Sequence, residues 1–196
     1  MQVIDNFLKE EDYTSICDGM LSGTFPWFWG WTKTRDHDNE SGEGGNAHIH
    51  NCQLVHHYYR AHEKNSRHWN LIEPIVDKLE VAAFIRIKAN LTMATPHIIE
   101  TYMHHDYSSN MEHNIAIYYL NTNDGYTLFE DGTKCESVAN RFCRFPCTTR
   151  HTATTCTTSD RRLLINFNYS TYTLSLIHIS EPTRPLYLSY AVFCLK

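Results

Sequence analysis

From Ala82 to Tyr169 the chain alternates short β-forming runs with tight-turn signals, and no other feature constrains its fold as much. The runs are Arg86-Ile87-Lys88-Ala89-Asn90-Leu91, Ile115-Ala116-Ile117-Tyr118-Tyr119-Leu120-Asn121, Gly125-Tyr126-Thr127-Leu128-Phe129, Asn140-Arg141-Phe142-Cys143-Arg144-Phe145-Pro146 and Arg161-Arg162-Leu163-Leu164-Ile165-Asn166-Phe167-Asn168-Tyr169. Asn123-Asp124-Gly125 and Glu130-Asp131-Gly132 supply turns between them. Short strands of this kind bury their apolar faces by packing two sheets together. The predicted class is therefore mainly β with flanking helices, on a double-stranded β-helix (jelly roll) core. The last run is the most informative, because side chains alternate across a strand. Arg162, Leu164, Asn166 and Asn168 share one face; Arg161, Leu163, Ile165, Phe167 and Tyr169 share the other. The second face is apolar and suits packing beneath helices, whereas the first carries polar groups that a cavity could use.

Two helices are expected ahead of the strands. Residues 7–22 place Phe7, Leu8, Ile16, Met20 and Leu21 near helical spacing, with the acids Glu10, Glu11 and Asp12 early and Gly23 as a stop. Residues 66–79 turn Trp69, Ile72, Ile75, Val76 and Leu79 inward, and Pro74 demands a kink or a broken start. The aromatic stretch Phe25-Pro26-Trp27-Phe28-Trp29-Gly30-Trp31 reads as a strand closing the core; the alternative is that one of its indoles lines a cleft. Residues 36–46 form a polar loop without strand patterning, which disqualifies its Asp36-His37-Asp38 as a metal group.

His104-x-Asp106 is a sharper candidate. In a strand, residues two apart point to one side, so His104 and Asp106 can grip one ion while His105 points away. His151, from another strand, would complete the set. Two histidines and a carboxylate with open positions are the facial ligands of non-haem Fe(II) oxygenases. Cys143-x-x-x-Cys147 lies near His151, but no second pair at finger spacing follows it, which argues against zinc.

The order of these motifs resembles the 2-oxoglutarate/Fe(II)-dependent dioxygenases, in particular the prolyl-4-hydroxylase-like branch and its relatives in marine phages. The resemblance spans roughly residues 1–169. It includes the opening Val3-Ile4-Asp5-Asn6-Phe7-Leu8 and the Phe25-Pro26-Trp27 element. It implies that His104, Asp106 and His151 bind Fe(II), leaving two positions for 2-oxoglutarate and one for O2, with ascorbate a candidate reductant. The implied reaction decarboxylates 2-oxoglutarate to succinate and CO2 and hydroxylates a C–H bond of a peptide, prolyl or otherwise, or of a small molecule. The distal carboxylate of 2-oxoglutarate needs a buried cation, and a guanidinium pairs with it through two hydrogen bonds. Strand parity and the family pattern together favour Arg162 over Arg161. Tyr119 is similar to the family tyrosine that donates to the same carboxylate, with Tyr118 the register-shifted alternative. Asn90 and Asn166 are further candidates for the pocket lining.

The last 23 residues read differently. The stretch 174–184 resembles an in-frame translation of the transposase adapter of shotgun sequencing libraries, and 189–195 the flow-cell end that follows it; Leu188 departs from the isoleucine expected there. A tail of that origin has no part in fold reasoning. The domain is therefore placed at 1–173, with 174–196 a non-native tail; about that many residues suit one domain with a sizeable core.

Without Arg184, Lys196 and Glu181 the net charge moves from −5 to about −6, which opposes a general nucleic-acid or anionic-membrane surface. It leaves room for one local basic groove. Six cysteines lie in 1–173 (Cys17, Cys52, Cys135, Cys143, Cys147, Cys156), none in a CxxC pair, and the start Met1-Gln2-Val3-Ile4-Asp5 is polar. Reduced thiols in a cytoplasm, the host's if the source is viral, are the expectation. Two other readings stay open: a viral jelly-roll binding or structural module without turnover, and an oxidative nucleic-acid dealkylase. The first has no need of a buried charge. The second needs a base-stacking pocket and a basic groove.

Overall fold

The structure, a computed structural model, describes residues 1–30, 52–106 and 113–171. The polar loop with Asp36-His37-Asp38, Trp31 and the tail 174–196 lie outside the described residues. In chain order the elements are β1 (Gln2–Ile4), α1 (Glu10–Leu21), β2 (Phe28–Gly30), β3 (Gln53–Arg60), β4 (Glu63–Lys64), a 3-10 turn (Trp69–Leu71), α2 (Glu73–Val76), β5 (Ala83–Met93), β6 (His113–Tyr119), β7 (Tyr126–Phe129), β8 (Lys134–Glu136), β9 (Arg141–Pro146), β10 (His151–Ala153) and β11 (Arg161–Ser170).

These strands build two sheets. The larger runs β1-β9-β6-β11-β5-β3-β2, with β4 paired to β3; the smaller runs β10-β7-β8. Every pairing between named strands is antiparallel. Single antiparallel bridges, Glu100 with Thr154 and His104 with His151, lay residues 100–104 along the free side of β10 and so extend the smaller sheet. From β5 onward the chain passes back and forth between the sheets, apart from the β7–β8 hairpin inside the smaller one, which is the double-stranded β-helix.

The alternation of β11 decides what each face meets. Leu163, Ile165, Phe167 and Tyr169 join Ile16, Met20, Ile72 and Ile75 in the larger core, between the major sheet and the helices. Leu164, from the other face, joins Ile115, Ile117, Tyr119, Phe129 and Phe145 in a smaller cluster between the sheets. Burying one Leu, Ile or Phe side chain is worth about 1.5–3 kcal/mol. The helix-side cluster therefore does most to hold the major sheet in shape, and the inner face is left free to carry polar groups.

Several boundaries differ from expectation. α1 begins at Glu10, after Phe7 and Leu8, and ends at Leu21 with Ser22 rather than Gly23 as its cap. Leu21 itself is exposed. The helix expected over 66–79 is broken into the 3-10 turn and the four residues of α2, with Pro74 in the first turn, where its missing N–H costs nothing. Of the aromatic stretch, Phe25 is buried, whereas Phe28 and Trp29 are exposed on the edge strand β2. Trp27 donates its indole N–H to Met20 O at 3.1 Å.

Candidate active site

A cavity of about 210 Å³ opens between the sheets. Its floor is the inner face of the major sheet: Arg86, Lys88, Asn90 and Thr92 on β5, with Arg162, Leu164 and Asn166 on β11. His104, Asp106 and His151 line it from the smaller sheet. Trp27 and Trp29 do not line it.

One ligand atom each from His104, Asp106 and His151 lies within 4.8 Å of the others. The backbone brings the two imidazoles together. His104 N–H donates to His151 O at 2.9 Å and His151 N–H donates back at 3.0 Å, which sets the rings 4.7 Å apart. Phe145 meets the His151 ring edge-on at 4.9 Å and limits its rotation. Strand pairing stops at His104, so Asp106 lies in a bend rather than on the strand expected for it. The chain bends there, and Asp106 still reaches the histidines while His105 is exposed at the cavity mouth.

The hydrogen bonds settle which atoms face one another. His104 Nδ1 and His151 Nδ1 each meet a carbonyl oxygen, of Tyr102 and Thr149, at 3.1 Å. A carbonyl only accepts, so each Nδ1 carries the proton and each Nε2 keeps its lone pair. That is the tautomer a metal-binding histidine needs, with its other nitrogen anchored. Burial lowers the His151 pKa, against the opposing pull of the Asp106 charge, and keeps the ring neutral. Burial by itself would raise the Asp106 carboxyl. The neighbouring His104, the Arg86 guanidinium and His151 outweigh it and hold the group well below the usual carboxylate range. Neutral imidazoles and an ionised carboxylate are the donor set that a divalent metal takes, and the residues present fit Fe(II).

Arg86 was not among the residues that sequence reasoning singled out for the site. Its Nη2 donates to Asp106 Oδ2 at 3.0 Å, and Asn166 Nδ2 donates to the same oxygen at 3.2 Å. Oδ1 is left facing His104 Nε2 at 3.5 Å. The one available signal was parity: Arg86, Lys88 and Asn90 alternate along β5 as Arg162, Leu164 and Asn166 do along β11.

Arg162 lies at the far end of the cavity and is 1% exposed. Nε donates to Ser137 Oγ at 2.7 Å and Nη2 to Thr127 Oγ1 at 3.2 Å, and the guanidinium carbon lies 5.5 Å from the centre of the Tyr119 ring. Gly125 makes room for it, because a Cβ there would come within 2.8 Å of Arg162 Cδ and 2.7 Å of Thr155 O. Arg161, on the opposite face, pairs with Asp160 and is about a third exposed. Tyr119 is fully buried in the inner cluster, its hydroxyl 2.8 Å from Thr127 Oγ1. Tyr118 points into the helix-side core and donates to Asn140 Oδ1 at 2.8 Å. Asn166 and Asn90 both line the cavity; Asn90 Oδ1 is buried and accepts no hydrogen bond among the described residues.

A double-stranded β-helix whose cavity joins a His-x-Asp…His cluster to a buried arginine defines the class of site. Neither the family models nor the curated protein sequences give a match. Solved structures do. A prolyl hydroxylase from Trichoplax adhaerens, in complex with a hypoxia inducible factor peptide, aligns with TM-score 0.58 at 16% identity over 86% of this chain and 82% of its own. The viral collagen prolyl hydroxylase of Paramecium Bursaria Chlorella virus-1, in complex with 2-oxoglutarate, aligns with TM-score 0.56 at 12% identity over 88% and 96%. The non-haem α-ketoglutarate-dependent epimerase SnoN of nogalamycin biosynthesis gives 0.56 at 13% over 86% and 76%. The chain thus has the fold these 2-oxoglutarate/Fe(II) oxygenases share. Among the described residues no helix is long and apolar enough to cross a membrane.

Proposed function

We propose that the chain is a non-haem iron oxygenase, its catalytic domain spanning 1–173, that couples oxidative decarboxylation of 2-oxoglutarate to hydroxylation of a C–H bond in a peptide or small molecule. One observation carries this reading: His104, Asp106 and His151 converge in the same cavity as the buried Arg162. A jelly roll used only as a scaffold would bear the desolvation cost of that guanidinium for no return. The peptide bound in the Trichoplax adhaerens structure supports a peptide as one substrate class.

His104 and His151 would hold Fe(II) through Nε2, and Asp106 through Oδ1. The bound metal and its cosubstrate supply the oxidising chemistry. The chain supplies position and exclusion of water. The Tyr102 and Thr149 carbonyls fix the two imidazoles, and Arg86 and Asn166 fix the carboxylate. Arg162 takes the distal carboxylate of 2-oxoglutarate, a charge-assisted pair in a poorly hydrated site. The Tyr119 and Thr127 hydroxyls steady that end, and Ile117 and Leu164 form apolar wall between it and the ligand set.

The test is anaerobic addition of Fe(II) and then 2-oxoglutarate, watched for a visible metal-to-ligand charge-transfer band, followed by succinate release on admitting air. A band and succinate are the expected results. Metal binding without a 2-oxoglutarate-dependent band would overturn the reading.

A further inference from the structure

Lys88 stands on the cavity floor directly across from Asn166, the residue that donates to Asp106. It makes no hydrogen bond or ion pair among the described residues, although it lines the same cavity as Asp106. Burial lowers its ammonium pKa to about 8, with the Arg86 charge adding to this and Asp106 opposing it, so the group is still mainly charged at neutral pH. Two residues along the same strand face, Asn90 Oδ1 is a buried acceptor without a donor. A charged donor without an acceptor thus neighbours an acceptor without a donor. Buried polar groups are normally satisfied, so the Asn90 oxygen calls for a donor; Lys88, partly buried, faces the cavity beside it.

Charge counting points the same way, resting on the function proposed above. Among the described residues the cavity holds three side-chain cations, Arg86, Lys88 and Arg162, against one carboxylate, Asp106. A divalent metal adds two positive charges and 2-oxoglutarate two negative ones. Two positive charges remain uncompensated inside a cavity of about 210 Å³. Arg86 is already engaged with Asp106 and Arg162 faces the cosubstrate end, which leaves Lys88. We infer that Lys88 is a substrate-recognition residue, and that the substrate presents a carboxylate to it, with an N–H or O–H beside that carboxylate for Asn90.

The experiment uses the full chain loaded anaerobically with Mn(II) and 2-oxoglutarate, and the probe is acetate labelled with ¹³C at the carboxyl carbon. Wild type should give saturable paramagnetic broadening of the acetate signal, whereas acetamide should give none. Lys88→Met should lose at least 10-fold in acetate affinity and Lys88→Arg should keep most of it, at unchanged Tm. The charge-transfer band of the Fe(II) form, titrated with 2-oxoglutarate, should be unchanged in both variants and should persist when acetate is added. Competition separates the sources of the carboxylate. Free L-alanine displaces acetate if the carboxylate is a small molecule's own, and acetyl-Ala-Glu-Ala-amide displaces it if it belongs to a peptide side chain. Equal displacement by acetyl-Ala-Ala-Ala-amide, broadening that survives in Lys88→Met, or no broadening in a protein that binds 2-oxoglutarate would each overturn the inference alone. Loss of 2-oxoglutarate affinity in Lys88→Met would overturn it by making Lys88 a cosubstrate anchor. Wild type that binds no 2-oxoglutarate would sink the proposed function, and this inference with it.

Discussion

Arg86 Nη2 donates to Asp106 Oδ2 at 3.0 Å, and this contact leaves Oδ1 facing His104 Nε2. Such a partner of a metal ligand commonly governs 10–100-fold in metal affinity. Arg86→Met should weaken Fe(II) binding by about that factor, with Arg86→Lys restoring part of it. Anaerobic Fe(II) titration is the measurement. An unchanged affinity in Arg86→Met would show that Asn166 alone orients Asp106.

The metal ligands themselves separate cleanly from their neighbour. Asp106→Ala and His151→Ala should each abolish Fe(II) binding and 2-oxoglutarate turnover. His105→Ala should keep most of both, because His105 is exposed at the mouth of the cavity. Equal loss in the His105 variant would mean that the bend at Asp106 delivers a different set of side chains.

How far these residues can be read from the sequence depends on whether one strand carries the information. The β11 alternation is legible by itself: apolar residues on one face, Arg162 and Asn166 on the other, and helices needed over the first. His104 and Asp106 are legible as a pair, but the bend that brings Asp106 round is not, since it depends on where pairing with β10 stops. β3 is hard to read for two reasons. Its His and Tyr residues carry no clear polarity, and its turn to β4 uses Ala61 and His62 at φ of 55° and 65°. Two successive positive φ values are the habit of a type I′ hairpin, which asparagine and glycine usually announce. The alternation of Arg86, Lys88 and Asn90 puts them on one face of β5, but that this face meets the cavity depends on the three-strand register of β3, β5 and β11, which no local pattern contains.

Removing the tail is a direct test of the domain boundary. β11 ends at Ser170, so a chain ending at Thr173 should keep its Tm within about a degree and its Fe(II) affinity unchanged. A drop of several degrees, against the roughly 2–4 °C that 1 kcal/mol is worth in a domain of this size, would make 174–196 part of the fold.

His57 should give the apoprotein an acid-sensitive component of stability. Burial lowers its pKa to about 4, and the Lys88, Arg60 and Arg86 charges add to the shift. In the unfolded chain the imidazole titrates near 6.5. Between those values the unfolded state takes up a proton that the folded state refuses. The stability present above pH 6.5 is therefore lost as pH falls toward 4. The Tm of His57→Gln should fall less than that of wild type across this window, and the two should run parallel above pH 7. Parallel curves throughout would mean that the folded protein admits the proton.

The cosubstrate end of the cavity gives the strongest contrast between adjacent residues. Arg162 is 1% exposed and held by Ser137 and Thr127, whereas Arg161 pairs with Asp160 at the surface, a contact worth little. Removing the partner of a buried anion costs about 3–5 kcal/mol, so Arg162→Ala should weaken 2-oxoglutarate binding by roughly 100-fold or more. Arg161→Ala should leave it within about twofold, since 1.4 kcal/mol is already tenfold. The two tyrosines should divide in the same way. Tyr119→Phe removes the hydroxyl beside Thr127 and should weaken 2-oxoglutarate binding. Tyr118→Phe removes a bond to Asn140 in the helix-side core and should cost about 1 kcal/mol of stability with binding intact. All four variants can be titrated with 2-oxoglutarate at saturating Fe(II). A crippled Arg161→Ala beside a normal Arg162→Ala would put the cosubstrate on the other face of β11, and Asn166 would leave the pocket with it.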